Sequence, residues 1–188
     1  MDEHQLWRAT SLTVAASRSG TEIKDATGAV IATCDPEGGV RDPSGNLLFS
    51  APVRWEGHRN KPAHAEMEIF SADGATLGAG RVVKYGLGPR SKKATVAISD
   101  TGGEEIARLE PRDKKGEQLA VVSEAGDLAT IDVAVVKSGF LQKTRVYTAT
   151  IISAIPDPLR PLVTAVVIRY DGLLKGLEAA TMHQSMRD

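Results

Sequence analysis

A recurring turn signature constrains this chain more than any other feature. Asp25-Ala26-Thr27-Gly28, Asp35-Pro36-Glu37-Gly38, Asp42-Pro43-Ser44-Gly45, Ser71-Ala72-Asp73-Gly74, Asp100-Thr101-Gly102-Gly103 and Ser123-Glu124-Ala125-Gly126 punctuate it from end to end. Asp or Ser caps such a turn with a side-chain oxygen, and glycine supplies the positive φ needed at the exit. Between the tetrads lie short runs rich in β-branched residues: 29–33, 47–49, 94–98, 119–122, 128–136 and 146–152. Several alternate. Val96 and Ile98 share one face of their run, as do Ile131, Val133 and Val135. Period-two alternation gives one buried and one solvated face, as in antiparallel sheets. Many short strands at even spacing predict a mainly β fold, a sandwich or a barrel.

The pattern breaks at Pro156-Asp157-Pro158, which stops a strand and offers an N-cap followed by a first helical residue. The stretch 162–168 is apolar on every side, so a helix there must be buried. Its β-branched content also suits a strand; the two prolines and the spacing Leu162, Val166, Ile168, Leu173, Leu177 favour a helix over about 158–177. Arg160, Arg169, Asp171 and Lys175 interrupt the stretch, and the uninterrupted apolar run is far shorter than the roughly 20 residues a membrane span needs.

With 188 residues the chain is large enough for one domain with a sizeable core. The reading is a single domain over 21–180, preceded by an arm or weak first strand at 1–20 and followed by a frayed tail at 181–188. Formal net charge is -1, so no global field draws the chain to nucleic acid. Aromatics make up only 4%, too few for base-stacking platforms, and no nucleic-acid partner is expected. Cys34 is the only cysteine and the N-terminus lacks a basic start and an apolar stretch, which predicts a cytoplasmic protein.

Short strands joined by Asp/Gly turns and closed by one apolar helix resemble the tubby-like barrels, among them the LURP-one-related proteins and phospholipid scramblases. The likeness is carried by residues 40–49, Val40-Arg41-Asp42-Pro43-Ser44-Gly45-Asn46-Leu47-Leu48-Phe49, and by 71–78, 100–107 and 160–168. It implies about twelve antiparallel strands closed into a barrel, with the helix in the bore. Functionally it implies a non-enzymatic module that binds phosphoinositide or other phospholipid, peripheral at the inner membrane face. Two departures stand out. Asp171 is the only acid between Leu159 and Leu177, and no cysteine-rich segment is present, so scramblase activity is not expected.

Between Asp73 and Asp100 no acid occurs, while Arg81, Lys84, Arg90, Lys92 and Lys93 all do. The glycine-containing loop 85–93 combines flexible backbone with cations suited to a phosphate head group, and Tyr85 and Leu87 to a lipid interface. These five residues are the candidate anionic-lipid site; a solvated charged hairpin is the plainer reading. Lys137, Lys143 and Arg145 around Phe140-Leu141 form a second acid-free stretch. No catalytic residue is expected. Gly86-x-Gly88 lacks the third glycine of a dinucleotide fingerprint, Cys34 should face the core, and no Gly-x-Ser-x-Gly elbow occurs. His58 and His64 have Arg59 and Lys61 between them, which disfavours a metal, and no cofactor is implied. The alternative from another class is a rigid protein-docking scaffold with a protein partner and no lipid ligand.

Overall fold

A computed structural model describes residues 5–17, 20–57, 63–88, 92–137, 143–152, 155–156 and 159–185. A short helix α1 (Gln5–Arg8) precedes the strands β1 (Ser11–Ser17), β2 (Gly20–Lys24), β3 (Val30–Cys34), β4 (Gly39–Arg41), β5 (Leu47–Ser50) and β6 (Val53–Glu56). Then come β7 (His64–Ser71), β8 (Thr76–Leu87), β9 (Lys92–Ser99), β10 (Glu105–Pro111), β11 (Gln118–Ser123), β12 (Gly126–Lys137) and β13 (Lys143–Ile151), and last the helix α2 (Leu159–Ser185).

All pairings are antiparallel, in the order β5-β4-β3-β2-β1-β13-β12-β11-β10-β9-β8-β7-β6, and a β5–β7 pairing closes the ring. Twelve strands thus form a closed barrel, and β6 is an extra strand hydrogen-bonded to β7 alone. Closure removes sheet edges from the ring.

The turns follow from the tetrads. At Asp25, Asp35, Asp42, Ser71 and Asp100 the same pair of backbone bonds recurs: the residue accepts from the glycine N–H three positions on and donates to the carbonyl four positions on. Gly28 adopts φ +85° and Gly38 +101°, which side-chain-bearing residues seldom adopt. Ser123 is different: it pairs directly with Gly126 across a two-residue loop.

Helix α2 fills the bore. Leu162, Val163, Ala165, Val166, Leu173 and Leu177 are all buried against inward residues such as Met67, Ile69, Val96, Leu109 and Ile131. Pro161 sits in the first turn, where its missing N–H costs no helical bond. Gly78 and Gly80 on β8 leave room for the helix: a Cβ at Gly80 would meet Val166 at 3.3 Å. On the other side Gly172 and Gly176 let β6 approach, with Val53 Cγ1 at 3.3 Å from a Cβ built at Gly176. Tyr170 Oη accepts from Ala94 N–H at 2.7 Å and donates to its carbonyl at 2.9 Å. It thereby takes the backbone groups of β9 beyond the last β9–β10 pair, Leu109 with Val96.

Of the two alternatives for the N-terminal region, an arm or a weak first strand, residues 11–17 form the strand: β1 is paired on one side with β2 and on the other with β13, and Leu12 and Val14 alternate into the core. One expectation is corrected. The helix runs past 177 to Ser185: Ala179 and Ala180 are strong helix formers and Thr181 Oγ1 donates to Leu177 O at 2.8 Å. Asp157 and Pro158 lie outside the described residues. Among the described residues no helix is long and apolar enough to cross a membrane.

Candidate functional site

The meander fixes which connections share an end of the barrel. Helix α2 starts where β13 finishes: Arg160 donates through Nη1 to Ile152 O at 3.3 Å and through Nη2 to Ala9 O at 3.0 Å. Around this end lie the connections 25–29, 42–46, 71–75, 100–104 and 124–125. They hold six acids (Asp25, Asp42, Asp73, Asp100, Glu104 and Glu124) and no Lys or Arg. Cations also reach this end: Arg160 on the helix itself, and Arg41, whose Nη1 donates to Gly45 O at 3.3 Å.

Lys92 and Glu178 form an ion pair at the opposite end, where the helix emerges. The β8–β9 hairpin projects there, and its predicted cations divide. Residues 94, 96 and 98 of β9 face inward, so 93, 95 and 97 face out. Arg81 pairs across from Ala97, Lys84 from Thr95 and Gly86 from Lys93, which sets Arg81, Lys84 and Lys93 on the outer wall over about 13 Å. A bulge between Val82 and Lys84 keeps Lys84 on that face. Lys92 turns the other way, into the barrel mouth and onto Glu178. Arg90 lies outside the described residues, as do Phe140, Leu141 and His58. The outer cations have company: Arg81 is opposite Glu66, Lys93 Nζ donates to Lys114 O at 2.9 Å, and Glu110 and Asp113 line the same shallow cleft as Lys84 and Lys93.

A second cleft, of about 450 Å³, opens in the mouth at this same end, between β1, β2, β3 and β13 on one side and β6 on the other, with residues 168–176 of α2 as its floor. Cys34, Trp55, Arg145, Tyr147, Arg169 and Asp171 line it. Arg169 is buried on α2; its Nε donates to Ala51 O at 3.0 Å and its Nη1 to Cys34 Sγ at 3.5 Å. Burial pushes the Cys34 thiol up, and the neighbouring guanidinium only partly offsets this, so the sulfur is a neutral thiol at pH 7. Tyr147 Oη donates to Asp171 Oδ1 at 2.9 Å, and Lys175 Nζ holds Asp171 Oδ2 at 2.8 Å. Burial above all, reinforced by Asp171, keeps the Tyr147 phenol far above its ordinary range. The Tyr147 and Tyr170 rings meet edge to face with centroids 5.9 Å apart.

Neither the thiol nor the phenol is poised as a nucleophile or a base near neutral pH; the guanidiniums of Arg145 and Arg169 are donors suited to an anion, while the carboxylates of Asp35, Glu37 and Asp171 only accept. Among the described residues no group of three or more His, Cys, Asp or Glu could hold a metal ion. The mouth cleft was not assembled from the sequence, although its signal was present: Arg169, Asp171 and Lys175 interrupt an otherwise apolar helix. No protein-family model, curated protein or solved structure matches this chain.

Proposed function

We propose that the chain is a non-enzymatic binding module that meets an anionic phospholipid surface with the end of the barrel from which α2 emerges. The asymmetry between the two ends supports this reading. The five connections around the helix start hold six acids and no Lys or Arg, which an anionic surface repels, whereas the far end bears Lys84, Lys93, Lys115 and Arg145 among acids such as Glu37, Glu110 and Asp113. The tubby-like resemblance, which rests on the order of turns and helix, points the same way.

Each exposed cation near such a surface contributes about 1 kcal/mol. Lys84→Glu combined with Lys93→Glu should therefore weaken sedimentation with anionic vesicles at least about 30-fold, with binding falling as salt rises. Lys92 is a poor choice for this test, since its reversal breaks the pair with Glu178. Binding that ignores both the double variant and salt would overturn the reading.

A second reading, a protein-docking scaffold, draws on β12. Val135 is 57% and Val136 49% exposed, so both faces of the strand stand clear of the barrel at this point. Capture of a protein partner lost in Val135→Asp, with no vesicle binding, would favour it.

A further inference from the structure

The mouth cleft holds a charge without a counter-ion. Arg169 is 8% exposed, yet both of its acceptors, a carbonyl and a thiol, are neutral. Among the described residues no carboxylate lies within ion-pair distance of it. A guanidinium has five N–H donors in a planar fork, and only Nε and Nη1 are engaged here. Burying such a charge is costly unless it is paired.

The acids nearby are committed. Asp171 gives one oxygen to Tyr147 and the other to Lys175. Asp35 Oδ1 accepts the Gly39 N–H at 2.7 Å, closing its turn, and Glu37 is exposed at the rim. Arg145 adds a second guanidinium from β13, and Trp55, 44% exposed, forms part of the opposite lip. A volume of about 450 Å³ lies in the ordinary range for small-molecule sites.

We infer that the mouth cleft is a binding site for a phosphate monoester, whose oxygens pair with Arg169 and Arg145 while its organic part lies toward Trp55. Of the carboxylates lining the cleft, Asp171 is held by Tyr147 and Lys175 and Asp35 closes its own turn, so the guanidinium of Arg169 has donors to spare, which a dianionic phosphate can meet together with Arg145. The site needs no membrane. A lipid head group and a soluble phosphate ester present the same chemistry.

The test is calorimetric titration of the full chain with inorganic phosphate and with glycerol 3-phosphate, against chloride at matched ionic strength. Saturable binding is expected for both phosphates, absent with chloride. It should weaken at least about tenfold in Arg169→Gln, the loss of about one charge-assisted pair. Should Arg169→Gln fail to fold, Arg145→Gln, on a half-buried strand position, should show the same loss. No saturable binding, or equal binding in wild type and both variants, overturns the site. Vesicles of phosphatidic acid distinguish the source: displacement by glycerol 3-phosphate upholds the cleft as a head-group site. Soluble binding without vesicle binding upholds it for a soluble ester and overturns the membrane reading alone.

Discussion

Thr164 lies at 0% exposure on the helix within the bore, and its hydroxyl has no hydrogen-bond partner among the described residues. An unmet buried hydroxyl costs about 1–3 kcal/mol. Thr164→Val keeps the β-branched shape and removes the polar atom, so urea unfolding should report a gain of about 1 kcal/mol; a loss would mean that the hydroxyl has a partner in solution. Residue-scale features of this kind were the least legible in the sequence. Arg169 was visible as a charge in an apolar run, but its contacts come from Cys34 and Ala51, more than a hundred positions away. Lys92 and Lys93 are adjacent in sequence and were grouped together, yet the pleat sends them to opposite faces of β9. Cys34 was read as core-facing from its strand, and it is buried.

Among the elements, hairpins were the most legible, because a tetrad encodes its own geometry. A carboxylate that caps a turn and a glycine that exits it need no distant partner. Asp113-Lys114-Lys115-Gly116 obeys the same rule and went unread among the mixed charges of 100–127; Asp113 accepts from the N–H groups of Lys115, Glu117 and Gln118, at 2.9–3.1 Å. Its carboxyl is held below the ordinary range chiefly by the Gln118 N–H, that of Asp25 by Thr27 and that of Asp73 by Ser71. A carboxyl depressed in the folded state contributes stability above its unfolded value, about 4, and that contribution is lost as pH falls below it. Urea midpoints should therefore fall between pH 5 and pH 3, and the fall should be shallower in Asp113→Ala; an unchanged slope would count against the cap. Strand β6 was harder to foresee. It leaves the ring and seats Val53 and Trp55 on Gly172 and Gly176. Gly176→Leu should dislodge it and shift Trp55 fluorescence toward the emission of solvated indole, with the far-ultraviolet signature of the barrel retained. Loss of that signature would show that β6 is required for the ring.

For the whole molecule, strand periodicity supported a mainly β architecture but left sandwich and barrel undecided, whereas the resemblance implied about twelve antiparallel strands closed around the terminal helix, and that barrel is what the chain forms. What decides it is the β5–β7 closure together with the pairing of Val14 with Tyr147 and its neighbours. Periodicity within a strand carries no information about a partner across the chain. That β1–β13 seam has a consequence for biosynthesis. β1 is synthesised before its partner β13, so its edge on that side stays unsatisfied until β13 has been made, and the helix that fills the bore follows β13. Long-range pairing of this kind makes folding slow and leaves intermediates prone to association. A half-finished sheet of this kind presents the free β1 edge to other chains until β13 pairs with it.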